Sequence, residues 1–212
     1  WQEKRRQRHR GTAAVAALGD FITHLTYGPI VTGRKPAHQS DGVPVIYQRN
    51  ITETGVSLGD VLCVPADSDF DPPRSRVRKR DLLLPRSGVG TLGRNRMAVY
   101  CGDGRANVGC FVDVVRLEGI NPFYVWFYFK TARGWQQIAS VINGVGTPNI
   151  NFSEIRALEV VLASEDEQRQ VEEEYRKRVL PLHRKRQEDS ETGPECDRRF
   201  RQIVEAVGAR WR

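Results

Sequence analysis

Arg78-Lys79-Arg80-Asp81-Leu82-Leu83-Leu84-Pro85-Arg86-Ser87-Gly88 decides how this chain is read. Residues 81–85 are a short apolar run closed by proline. A run of that length, without alternation, reads as a short buried strand. Before it lies a very basic patch, Arg74, Arg76, Arg78, Lys79 and Arg80, at the end of a loop over 67–74. After it comes a glycine-rich segment, 86–94.

Further strands are expected on both sides. Residues 43–48 (VPVIYQ) read as a strand, and 58–65 as a strand or turn. Residues 96–101 and 108–117 are β-branched and aromatic runs and read as strands. Residues 121–133 are apolar nearly all round and read as a buried helix. A second short helix is expected over 135–142, a Gly/Asn/Pro loop over 143–151, and a segment 155–162 that ends in a short strand. Upstream, 1–10 is a basic run that reads as the frayed end of a helix. Residues 12–18 are small and apolar, and 28–42 carry loop chemistry.

From Ser164 the pattern becomes helical. Ser164 with Glu167 three residues later is a capping box. Val171, Tyr175 and Val179 then share one helix face, and Pro181 is expected to kink or end that helix. After a linker over 188–195, Phe200, Ile203, Val204, Val207 and Trp211 form a second amphipathic stripe. Two such helices suggest an antiparallel pair, or a surface that docks on other helices.

The chain has 212 residues, with 33 basic and 26 acidic side chains and a net charge of +7. Residues 163–212 hold twelve of each sign, so the whole surplus belongs to 1–162. This divides the chain into a basic body, 1–162, and a neutral helical region, 163–212. A 39% apolar composition excludes a disordered chain. No apolar run is long enough for a membrane helix, and no signal peptide is visible. The start at Trp1 rather than Met reads as a fragment or a processed chain.

Catalytic templates fit poorly. Gly88-Val89-Gly90-Thr91-Leu92-Gly93 matches GxGxxG, but a strand is expected after it rather than the helix a dinucleotide site needs. It reads better as a tight turn that lets backbone and arginines approach phosphate. Asn121-Pro122-Phe123-Tyr124 is similar to the NPPY tetrapeptide of adenine methyltransferases. It reads better as a helix start with proline at the first position. Cys63, Cys101, Cys110 and Cys196 show no CxxC spacing and read as reduced thiols, so no metal and no cofactor are expected. The loops between strands are instead rich in Arg, Asn and Gln, which can bond guanine and adenine bidentately.

The order of segments resembles the target recognition domain of type I restriction-modification specificity subunits. The residues that carry the likeness are the strand VPVIYQRNI, then Asp81–Gly88, and the apolar strand ending Val114-Val115-Arg116-Leu117. Pro122-Phe123-Tyr124-Val125, Gly144-Val145-Gly146-Thr147-Pro148-Asn149-Ile150 and Glu167-Gln168 follow in order. The likeness spans about residues 13–187. One departure is Leu162-Ala163-Ser164-Glu165-Asp166 in place of the family's proline-rich approach to the helix.

The resemblance implies a mixed α/β (α+β) fold. That fold is a compact recognition domain with a twisted, mainly antiparallel sheet and packed helices, followed by a long spacer helix and a second amphipathic helix. It implies a cytoplasmic, non-catalytic module that reads double-stranded DNA, with methyltransferase and restriction subunits as partners. The spacer helix would pair with another in coiled-coil fashion. Two arrangements stay open: a half-subunit that dimerises through its C-terminal helices, or the recognition part of a fused adenine methyltransferase. A pure assembly module is the third reading. The DNA-contacting candidates are Arg34, Lys35, Gln48, Arg49, Asn50, Arg86, Ser87, Arg94, Asn95, Arg96, Asn107, Asn149 and Asn151.

Overall fold

A computed structural model describes residues 14–144, 146–189 and 192–211. The basic run over 1–10 lies outside them. The described chain is layered: helices, then one four-stranded sheet, then a second. The first sheet runs β2 (Ile22–Tyr27), β9 (Val112–Leu117), β6 (Leu82–Pro85) and β7 (Ala98–Val99), all antiparallel. The second runs β4 (Leu62–Val64), β3 (Val43–Ile46), β8 (Ala106–Val108) and β5 (Arg76–Val77), with β3 and β8 parallel. A separate antiparallel pair joins β1 (Val15–Ala17) to β10 (Glu159–Val161).

The leucine run is explained by its position in the middle layer. Leu82 and Leu84 face the helices, whereas Leu83 faces the second sheet with Ile46, Val108 and Val114. A strand covered on both faces has no use for a polar alternate residue. Its start is locked by Asp81, whose carboxylate accepts from Arg116 Nε and Nη2 at 2.8 and 2.7 Å and from the Arg78 amide at 2.7 Å.

The helical layer is centred on α1 (Pro122–Lys130), with eight of its nine residues buried. Asn121 caps it, its side chain accepting from the Phe123 amide at 2.9 Å, and Pro122 occupies the first turn. Around it lie α2 (Ala132–Val141), α3 (Phe152–Ala157), α4 (Glu165–Glu174), α5 (Leu180–Glu188) and α6 (Gly193–Gly208). The Ser164–Glu167 capping box forms as expected. Val171, Tyr175 and Val179 are buried on one face. Phe200, Ile203, Val204 and Val207 of α6 are buried too, and they cover α1: the Phe200 ring lies 5.6 Å from Trp126, and Trp211, half-buried in the turn after α6, lies 5.1 Å from Tyr124.

Several expectations are corrected. The strand expected over 108–117 is two strands, β8 and β9, broken by a turn at 109–111. The Val112 amide closes that turn on the Gly109 carbonyl at 3.0 Å. Segment 155–162 begins in α3, because Asn151 and Glu154 form a capping box that the pattern of apolar residues does not reveal. Residues 15–27 contribute two strands. Pro181 does not end the helix. A π turn, Tyr175–Val179, lies directly before α5. A widened turn takes up the carbonyl that proline cannot serve, and the helix continues.

Candidate nucleic-acid interface

The two sheets end together. The C-terminal ends of β2, β3, β6 and β8 meet the start of β9 around the turn at 109–111. The Gly109 amide donates to the Ile46 carbonyl at 3.0 Å, and the Arg86 amide donates to the Phe111 carbonyl at 2.9 Å. A Cβ on Gly109 would lie 2.5 Å from the Tyr47 ring, and one on Gly28 would lie 2.0 Å from the Val108 carbonyl. Glycine is therefore required at both positions for the loops to close around this turn. Loop 143–151 joins them: the Gly88 amide donates to the Pro148 carbonyl at 2.9 Å, and the Ile150 amide to the Arg86 carbonyl at 3.1 Å.

This convergence gathers Gln48, Arg49, Arg86, Ser87 and Asn149. Gln48 Nε2 donates to the Ser87 carbonyl at 2.7 Å, and Asn149 bridges to Ser87 along the backbone. Arg49 is exposed and lies 5.7 Å from the Tyr47 ring. Arg86 is held in an aromatic clamp, 4.1 Å from the Tyr27 ring and 5.4 Å from the Phe152 ring. Such contacts orient a guanidinium without neutralising it. Behind it, Asp113 Oδ1 lies 3.3 Å from Arg86 Nε. Burial pushes the Asp113 carboxyl up to about 7, against the pull of the Arg86 charge. Asn151, one residue beyond Ile150, caps α3 by accepting from the Glu154 amide at 3.0 Å.

Other candidates sit elsewhere or inside. Asn50 is buried, and its side chain accepts from the Tyr47 amide at 2.9 Å. Asn107 is buried, donating to Asp71 at 2.9 Å and accepting from the Val108 amide at 2.9 Å. Both amides are occupied within the fold. Arg34 is paired with Asp69 on the exposed loop that also carries Lys35. Arg94, Asn95 and Arg96 lie at the C-terminal end of α1. Asn95 takes a left-handed conformation with φ 51° and donates to the Phe129 carbonyl at 2.8 Å. The Lys130 ammonium, pushed down to about 7 by burial, donates to the Asn95 carbonyl. Arg94 and Asn95 border a cleft of about 640 Å³ that reaches Arg133, Arg201 and Trp211.

The basic patch of 74–80 is mostly occupied by internal partners. Arg74 donates to the Tyr27 carbonyl at 2.8 Å, Arg76 is paired with Asp67 and Asp71, Lys79 with Asp103, and Arg80 with Glu172. Arg78 alone of the five has no such partner among the described residues. Charge counting missed this because it does not show pairing: Arg76 meets acids of the loop just before it, whereas Lys79 and Arg80 meet acids far along the chain. Sequence reading also missed Tyr27, Phe152, Asp113 and Phe111. Their signal is tertiary, since each gains its meaning from a neighbour far along the chain.

The catalytic look-alikes resolve into structure. The glycine turn is followed by a short 3-10 turn, Leu92–Arg94, and then β7. The Asn121–Tyr124 tetrapeptide is sealed: Phe123 and Tyr124 are buried, and the Tyr124 hydroxyl donates to the Val161 carbonyl at 2.6 Å. Among the described residues no group of three His, Cys, Asp or Glu could hold a metal ion. No described helix is long and apolar enough to cross a membrane.

Two sheets closing on one loop cluster, backed by a helical layer, define a mixed α/β fold with an exposed cationic and amide-rich end. No protein-family model matches the chain, and no curated protein matches it. Solved structures share its fold. A chain of a type I restriction-modification system, from a study of its complex assembly and conformational transition, aligns at TM-score 0.58 and 14% identity. The alignment covers 95% of this chain and 47% of that one. The S subunit of a type I restriction-modification system from M. genitalium aligns at TM-score 0.55 and 12% identity, over 97% of this chain and 50% of that one. The HsdS subunit from Thermoanaerobacter tengcongensis aligns at TM-score 0.55 and 13% identity, over 95% and 46%. The chain thus has the fold of about half a type I specificity subunit.

Proposed function

We propose that this chain is a non-catalytic DNA target recognition module of a type I-like restriction-modification system, working in the cytoplasm. The observation that carries the reading is the convergence of Gln48, Arg49, Arg86, Ser87 and Asn149 on one end of a specificity-subunit fold. Arginines hold phosphates and set register, and Arg, Asn and Gln read base edges. Arg34, Lys35, Arg94, Asn95, Arg96 and Asn151 belong to loops that extend this contact along the backbone. A module of this size supplies one half of a bipartite target. The second half comes from a second copy or from another unit of a longer polypeptide. The body over 1–162 meets DNA, and the exposed faces of the helices over 163–212 meet methyltransferase subunits, with a restriction subunit in the full assembly.

The test is a salt titration of binding to a random-sequence duplex. Each neutralised phosphate contributes about −0.9 to the slope of log affinity against log salt. A slope equivalent to several phosphates is expected. A flat response would overturn the reading.

A further inference from the structure

We propose that Phe111 is an apolar reading tip, packing its ring against the bases of a duplex while the cations around it hold phosphates. The proposal rests on the DNA-recognition reading. Phe111 is 59% exposed and is the one aromatic among the large exposed apolar side chains of the described residues. It stands in the middle of the loop cluster, opposite Arg86 at the end of the β6–β9 ladder. An exposed phenyl ring forgoes burial that a binding partner would recover.

The turn is built to present the ring. Three backbone hydrogen bonds hold it, through the amides of Gly109, Val112 and Arg86. The Tyr47 ring and residue 28 pack against Gly109 from two sides, so the turn cannot withdraw into the fold. Two further exposed apolar residues belong to loops that close on this cluster, Val89 beside Gly88 and Ile30 two residues past Gly28. The same cluster carries Arg86, Arg49, Gln48 and Asn149.

That interleaving selects the partner. Two copies of a cationic surface repel each other. A duplex has a polyanionic backbone outside an apolar base stack, so cations and apolar tips side by side match it.

The experiment uses the full chain and a labelled random-sequence duplex. Phe111→Ala should weaken binding about tenfold, within what one aromatic ring contributes per base on a single strand. The slope against salt should stay unchanged, because the ring carries no charge. Phe111→Trp should keep most of the affinity. Arg86→Ala, by contrast, should lower the slope. Thermal melts of the variants establish that they are folded, as an exposed side chain allows. If the wild-type chain binds with a normal salt slope and Phe111→Ala binds equally well, the inference fails while the recognition reading stands. If the substitution changes oligomeric state and leaves DNA affinity intact, the tip belongs to a protein contact and the inference also fails. If the wild-type chain does not bind duplex at all, the reading itself fails and the inference falls with it.

Discussion

Asp113 is the buried acid behind the loop cluster, 3.3 Å from Arg86 Nε. Its side chain is fully buried, and neither carboxylate oxygen has a hydrogen bond among the described residues. With a pKa raised to about 7, the folded state holds a proton that the unfolded chain releases near the ordinary carboxylate range. The folded state therefore binds more protons between about pH 4 and about pH 7, and stability falls as pH rises across that window. Asp113→Asn keeps the shape and removes the charge. It should be more stable than wild type near pH 8, by an amount on the order of a few kcal/mol, and its stability should be flatter with pH. Urea unfolding at several pH values measures this. An Asp113→Asn variant that tracks wild type throughout would refute the account. Arg86 should stay in place between Tyr27 and Phe152, since that clamp does not depend on the carboxylate.

At the scale of elements, the best-defined joint is between α1 and α4. Gln168 Oε1 accepts from the Asn121 amide at 2.8 Å, and Gln168 Nε2 donates to the Ala163 carbonyl at 3.0 Å. Glu172 accepts from Arg80 at 2.8 Å, from Asn121 Nδ2 at 2.7 Å and from Arg176 at 2.7 Å. Burial works to raise the Glu172 pKa, but these hydrogen bonds outweigh it and hold the carboxyl down at about 2. That stability is present above the ordinary glutamate range and is lost as pH falls from about 4.5 towards about 2. Glu172→Gln should remove this acid-side loss and cost about 2 kcal/mol at neutral pH, because Arg80 loses its charged partner. Denaturant midpoints at acid and neutral pH test both statements. An unchanged neutral midpoint would show that the joint is held by packing alone. The Glu167-Gln168 pair thus acquires separate physical roles: Glu167 closes the cap, and Gln168 ties the helix to the start of α1.

At the scale of the molecule, the body and the C-terminal helices share one apolar core. Phe200, Ile203, Val204 and Val207 of α6 join the same cluster as Trp126, Tyr124 and the sheet residues Leu82 and Leu84. His183 of α5 is bonded to Thr54 and to the Val56 carbonyl, each at 3.0 Å, which pins that helix to a turn of the body. Each large apolar side chain contributes roughly 1.5–3 kcal/mol by burial, and a domain's whole stability is about 5–15 kcal/mol. Removing residues 193–212 should therefore abolish cooperative unfolding rather than release an intact body. A sharp thermal transition in the truncated chain would contradict this. The apolar stripe of α6 is already covered from within, so it is not a free docking surface.

Local chemistry made much of this legible in the sequence. The leucine run, the all-round apolar helix after Asn121, the Ser164 cap and the α6 stripe each depend on neighbours within a few residues, so periodicity and caps suffice to read them. The split of strand 108–117, the π turn before Pro181 and the helix after Asn151 depend on how the chain closes in space, and pattern alone did not show them. The same division runs through the interface. Residue type pointed to Arg, Asn and Gln in loops, but it could not separate Asn50 and Asn107, buried and bonded inside, from Gln48, Arg86 and Asn149, gathered at one end. Nor could it show that Lys79 and Arg80 meet acids from distant segments. By itself the sequence determined the elements set by periodicity and caps, and the net charge of the body. The tertiary structure decided which charges remain without partners and where Phe111 stands, because pairing and exposure are properties of residues brought together from far apart in the chain.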